Sequence, residues 1–225
     1  MIAQLLKQLA KLNPEQTTRL LNQFSKILDE SPELLVPLSE SISDGQMISK
    51  QWLAEGLYGR DLGTVFLCGG WYALLLLDDK LTYDRCISFD LDPSCKKPAD
   101  IIHRHLLMDG WKFLSTTKDI LDINYKLEPI TITRYNGTTV DITASPNTIV
   151  NTSCEHIEKF AEWWDMIPNG MLVALQSNNG FDIPGHVNCS KSLEDFASIT
   201  PMAYVLYEGE KQMPKFMRYM RIGYK

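Results

Sequence analysis

The stretch TVFLCGGWYALLLLDDKLTYDRCISFDLDP, residues 64–93, decides the fold. It opens on a short β-branched and aromatic run, bends at Gly69-Gly70, passes an apolar segment read as a helix near 72–81, and closes on a second strand ending at Asp90. Strand, glycine turn, helix and strand in that order make a βαβ unit, whose crossover is right-handed and whose strands are parallel.

Working outward, the alternation continues to the C-terminus. A helix near 98–108 leads to WKFLST, and NTIVNT leads to a helix near 155–166, followed by GMLVALQS, MAYVLYEG and KFMRYMRIG. No helix separates the last two runs, and EGEKQMP between them is of hairpin length, so they pair antiparallel at the far end of the sheet. The expectation is a doubly wound, seven-stranded, mainly parallel α/β sheet with an antiparallel C-terminal strand. KLEPITITRYNGTTVDIT carries Asn-Gly between alternating runs and reads as a hairpin decorating that core.

Upstream, residues 1–60 read as a helical N-terminal extension. Ile2, Leu5, Leu6, Leu9 and Leu12 form one stripe; Asn13 caps and Pro14 opens a second, through Leu20, Leu21, Phe24, Ile27 and Leu28. SPELL starts a short segment, and DGQMISKQWLAEGL makes a last helix with Ile48, Trp52, Leu53 and Leu57. The extension is expected to cover the pocket or to mediate self-association into a homo-oligomer.

Composition narrows the partners. The 225 residues carry a net charge of −6 and a pI near 5.2, against a broad phosphate-neutralising face and hence against nucleic acid as the main partner. No apolar run approaches the ~20 residues of a membrane span, and the first residues lack the features of a secretory signal. Cys68, Cys86, Cys95, Cys154 and Cys189 contain no CxxC pair, which suits free thiols in a reducing, cytoplasmic setting. His103 and His105 fall mid-helix among apolar residues and read as structural. No His, Asp and Glu grouping shows metal-ligand spacing, so no metal is expected.

The glycines and the acid locate a ligand. Open parallel sheets bind ligands beyond the carboxyl ends of their strands, where the topology switches. Gly69 and Gly70 let the backbone turn tightly and a ligand approach its N–H groups. Asp90, at the next strand tip, offers two acceptors to the two donors of a vicinal diol. Together they suit a nucleoside-containing ligand; read singly, they are a turn and a helix cap.

These residues resemble those of class I S-adenosylmethionine-dependent methyltransferases over about residues 50–225. FLCGGWYA stands at the glycine-rich first motif, SFDLDP at the ribose-binding second, and STTKDILDINY at the third, where Asp119, with Asp122 in reserve, matches the acid that meets the adenine. PNTIVNTSCEHI and IPNGMLVALQSNN correspond to the fourth and fifth strands, and the terminal hairpin is the family's distinguishing feature. Leu67 replaces the usual acid of the first motif, and Trp71 and Ala73 stand at its later glycines. The resemblance implies an S-adenosylmethionine-binding domain over 61–225, with Cys68, Gly69, Gly70, Tyr72, Asp90 and Asp119 at the cofactor and Trp71 beside the acceptor. Either aromatic, Trp71 or Tyr72, stacks on the ligand or narrows its space.

The catalytic face follows the fourth strand. Asn151 suits orientation of an acceptor amine or hydroxyl through its carbonyl, and Glu155 or His156 suits a general base, the imidazole having the better ordinary pKa near 6.5. Equally, Ser153 would cap the next helix with Glu155 in its first turn. His186 and Asn188, in the long loop after the fifth strand, are placed at the acceptor, expected to be a small molecule. The alternatives are a non-catalytic interaction or structural subunit on the same fold, and aminopropyl-type transfer from the same cofactor.

Overall fold

The computed structural model describes residues 14–133 and 136–225. The stripe from Ile2 to Leu12 and the cap at Asn13 lie outside the described residues. Helix α1 spans Pro14–Glu30 and, after a 3-10 turn at Pro32–Leu34, α2 spans Leu35–Ser41 and α3 Asp44–Leu57. The alternating part follows: β1 Thr64–Cys68, β2 Arg85–Asp90, α4 Lys96–Ile102, α5 Arg104–Met108 and β3 Phe113–Thr117. The hairpin is β4 Glu128–Thr133 with β5 Thr139–Ala144. β6 Thr148–Asn151, α6 Phe160–Met166, β7 Leu172–Asn178, α7 Leu193–Ile199, β8 Tyr204–Gln212 and β9 Met217–Tyr224 complete the chain.

Seven strands form one sheet in the order β3-β2-β1-β6-β7-β9-β8. β1, β2, β3, β6 and β7 are parallel; β9 pairs antiparallel with β7 and with β8, as the missing helix between the last runs requires. The order reverses between β1 and β6, where Cys68 lies beside Asn151 on one side and Phe89 on the other. Three strand tips therefore meet at the switch point, where such sheets bind ligands.

Alternation along each strand sends side chains to two cores. Phe66, Phe89, Ile149, Val173 and Leu175 pack on Trp163 and Trp164 of α6. Val65, Leu67, Val150, Ala174 and Ile222 pack on Trp52, Leu53 and Leu57 of α3. Helix α3 thus shares the sheet's own core. Gly56 lets it approach β9, since a Cβ there would stand 2.7 Å from Ile222 Cδ1. A reciprocal buried pair fixes its register: Ser49 Oγ donates to Gln176 Oε1 at 2.8 Å, and Gln176 Nε2 donates to the Ser49 carbonyl at 3.1 Å.

The segment after β1 corrects the sequence reading. In place of a helix near 72–81 there is a single 3-10 turn at Leu74–Leu77. Trp71 (φ 50°) and Ala73 (φ 53°) are left-handed, and the Ala73 N–H donates to the Gly70 carbonyl, so the chain has turned back before a helix can nucleate. The leucines are needed elsewhere. Leu74 packs with Leu20, Phe24 and Ile27 of α1 and with Leu38 and Ile42, whereas Leu75 joins the α3 core. The other two expected helices form but are divided, one at His103 and one between the turn Cys154–His156 and α6. Fully buried His103 holds the Tyr72 carbonyl through Nε2 at 3.0 Å, and burial pushes its pKa down to about 3. It is a structural residue, as its apolar setting implied.

Candidate functional site

At the switch point two cavities adjoin. One, of about 740 Å³, runs along the tips of β1, β2, β3 and β6 and is lined by Gly69, Trp71, Asp90, Asp119 and Asn151 among others. The second, of about 630 Å³, lies between α3, the turn after β6 and the loops following β7 and β8. Both are within the range of small-molecule sites. Gly69, Trp71, Ser153 and His156 belong to both walls.

The glycine bend is built differently from the expectation. Gly69 (φ +64°) supplies the left-handed turn, and a Cβ on it would meet only Ser153, at 3.8 Å. Its N–H and that of Gly70 both donate to the Phe89 carbonyl, at 2.9 and 3.1 Å, so neither reaches for a ligand. Gly70 instead answers to packing: a Cβ there would stand 2.0 Å from Ser88 Oγ and 3.1 Å from Leu67 Cγ. Gly70→Ala is expected to lower stability by about 1–3 kcal/mol through this overpacking. Adding Ser88→Ala should restore part of the loss in urea melts; no recovery would place the strain elsewhere.

The acids line the first cavity. Asp90 accepts the Trp71 N–H on Oδ2 at 2.7 Å and the Asp92 N–H on Oδ1 at 3.0 Å. A carboxylate has about four acceptor sites, so two remain for a diol. Asp119 caps the turn Ile120–Asp122 by accepting the Leu121 N–H at 2.9 Å, while Asp122 is exposed outside the cavity lining. Leu91, Ile120, Leu121 and Ile157 give this cavity apolar walls suited to a planar base.

Trp71 is half-buried and borders both cavities without closing either. Tyr72 is only 1% exposed and packs with α1 and α2, so it makes no wall of the cavity and its expected ligand contact is withdrawn. Cys68 likewise points into the core, where its Sγ meets the Tyr125 hydroxyl at 3.5 Å; burial pushes the thiol up to about 12.

Asn151 lines the first cavity, with its amide reversed from the role expected of it. Its Oδ1 accepts the Ser153 N–H at 2.8 Å, and its buried Nδ2 has no partner among the described residues. Ser153 makes no side-chain cap. Glu155 is held in a buried ion pair: its Oε1 accepts from Arg218 Nη1 and from Asn178 Nδ2, both at 2.7 Å, with the two side chains 5% and 4% exposed. Asn188 lies outside the second cavity, donating through Nδ2 to the Cys154 carbonyl at 3.2 Å. His156 and His186 do line it, with ring centroids 4.6 Å apart.

Two residues of the second cavity escaped sequence reasoning. Arg218 of β9 holds Glu155 and the Thr152 carbonyl, and its buried Nε has no partner among the described residues. Lys50 of α3 donates to Gln46 Oε1 at 2.7 Å. Burial, assisted by Arg218 and opposed by Glu155, pushes its amine down to about 7. The only signal for either was a charge within an otherwise apolar periodic run.

No protein-family model and no curated protein matches the sequence. Solved structures do. The N-methyltransferase NodS from Bradyrhizobium japonicum aligns with a TM-score of 0.55 at 13% identity, covering 80% of this chain and 96% of that one. Magnesium protoporphyrin IX methyltransferase from Synechocystis, crystallised with bound S-adenosylmethionine, aligns at 0.53 and 14% identity, covering 82% and 83%. Likeness at these identities shows the fold: a seven-stranded, mainly parallel methyltransferase sheet. Among the described residues no helix is long and apolar enough to cross a membrane.

Proposed function

We propose that the protein transfers the methyl group of S-adenosylmethionine to a small-molecule acceptor. The observation that carries this reading is the pair of cavities meeting at Gly69, Trp71, Ser153 and His156, one along the tips of β1, β2, β3 and β6 and one beside it. The residues fit the cofactor on two counts: Asp90 has acceptor sites left for the ribose, and Asn151, whose Nδ2 has no partner among the described residues, lines the same cavity. Asp119 and the walls of Ile120 and Leu121 suit the adenine. The cofactor supplies an electrophilic methyl on a sulfonium, so the chain's part is chiefly alignment and proton removal.

In the acceptor cavity, the orphaned Arg218 Nε donates to an oxygen of the acceptor and His156 orients it at the junction. Lys50, with its amine near pKa 7, takes the acceptor's proton. The net charge of −6 and the porphyrin named for the Synechocystis neighbour support a small-molecule acceptor over nucleic acid. The helices before β1 remain candidates for a self-association surface, and a cytoplasmic location fits the five free thiols.

Calorimetry with S-adenosylhomocysteine tests the cofactor. Asp90→Ala is expected to weaken binding by about 1–3 kcal/mol, roughly 5- to 150-fold. An unchanged dissociation constant in a folded variant would remove Asp90 from the site. A second reading, a non-catalytic subunit on this fold, is favoured by one observation: the first-motif N–H groups are closed on Phe89. Wild-type protein that binds neither S-adenosylmethionine nor S-adenosylhomocysteine at high micromolar concentration would select it.

A further inference from the structure

The turn after β6 and the loop after β7 bring together Glu155, His156 and His186, and one ligand atom from each lies within 4.8 Å of the other two. No spacing in the sequence announces them, because a strand and a helix intervene. The imidazoles are already oriented. His156 Nδ1 is 2.9 Å from the Gly185 carbonyl and His186 Nδ1 is 3.1 Å from the Gly180 carbonyl. A carbonyl only accepts, so Nδ1 donates in each ring, and in the neutral imidazole that leaves the lone pair on Nε2. Metal-binding histidines are commonly held in this way.

The carboxylate is prepared as well. Arg218 and Asn178 occupy Glu155 Oε1, while Oε2 is buried with no partner among the described residues. A buried acceptor without a donor costs about 1–3 kcal/mol, and a cation removes that cost. Asn178 supports the group from behind, since its Oδ1 also accepts the Gly180 N–H at 2.8 Å. Gly180 is closely packed at this loop, since a Cβ would stand 2.7 Å from Ile183 Cδ1 and 3.2 Å from His186 Nδ1. The Val187 and Asn188 N–H groups, each 2.9 Å from the Glu155 carbonyl, tie the loop to the turn.

We propose that Glu155, His156 and His186 bind one divalent transition-metal ion at the wall of the second cavity, with its remaining positions open to water or to an oxygen donor. Two imidazole nitrogens and one carboxylate oxygen select Zn²⁺, Fe²⁺ or Co²⁺ over Mg²⁺ and Ca²⁺. Arg218 shares the carboxylate, which moderates the affinity. Once bound, the ion takes over the orienting role given above to His156.

The test uses the full, untagged, chelator-treated chain without S-adenosylmethionine, so its outcome is separate from that of the methyl-transfer reading. Co²⁺ is titrated by its visible absorption and then displaced by Zn²⁺. One equivalent is expected to bind, with millimolar Mg²⁺ leaving it in place. His156→Gln and His186→Gln, each checked by thermal melting, should each weaken binding more than about tenfold. Cys189 Sγ lies 3.7 Å from His186 Nδ1, so Cys189→Ser is the control, expected to bind as wild type. The proposal is overturned by no saturable binding to wild type, by unchanged affinity in both histidine variants, or by a loss confined to Cys189→Ser.

Discussion

Arg218→Met is expected to lower the unfolding free energy by about 3–5 kcal/mol, the usual result of removing one member of a buried ion pair. The guanidinium lies under β9 with 5% of its side chain exposed, against a carboxylate at 4%. It also holds the Thr152 carbonyl, so one substitution strips both the turn after β6 and its acid of a donor. Most of the loss is the desolvated charge left on Glu155, which gives the prediction its control. Glu155→Gln in the same chain removes that charge while keeping an acceptor for Asn178, and should recover a large part of the stability. A double-mutant cycle in urea measures the coupling. Arg218→Met within about 1 kcal/mol of wild type would show that water reaches the pair.

Lys50→Met is expected to remove a pH dependence. Below pH 7 both folded and unfolded chains carry the proton on Lys50, and the folded state bears the full penalty of a buried charge. Between about 7 and the ordinary value of 10.5 the unfolded chain binds a proton that the folded chain lacks, so stability rises with pH across that window. The rise should be on the order of 2–4 kcal/mol between pH 7 and 10 in wild type relative to Lys50→Met, whose difference curve isolates this group. Parallel curves for the two proteins would mean that Lys50 is charged in the folded state, and its part as proton acceptor would go with it.

Much of the fold was legible, because strand identity and crossover order are local signals repeated along the chain. RCISFD ends at the acid that lines the first cavity, and the missing helix before KFMRYMRIG foretold the antiparallel end of the sheet. The failure at YALLLLDDK is informative. Four consecutive leucines satisfy a helical pattern, yet they serve two different layers, Leu74 toward α1 and Leu75 toward α3, which a 3-10 turn between left-handed residues allows. Periodicity reports that a segment is apolar; it does not report how many partners claim it.

The site was half legible for a related reason. Asp90, Asp119 and Asn151 sit at strand tips, which the order of elements places together. The ion pair of Glu155 left no signal because its partner is 63 residues away on β9, and Lys50 was overlooked because its neighbours come from other layers. Pairings across layers leave no local trace. The reversal of the Asn151 amide is of the same kind, set by one backbone N–H at Ser153.

The closure of the glycine bend on Phe89 has a dynamic counterpart. Since Gly69, Gly70 and Trp71 have every backbone proton engaged within the bend or by Asp90, these amides should exchange with deuterium slowly in the empty protein and change little when a nucleoside arrives. If the proposed cofactor binds here, the imprint of binding should fall on the side chains around the bend.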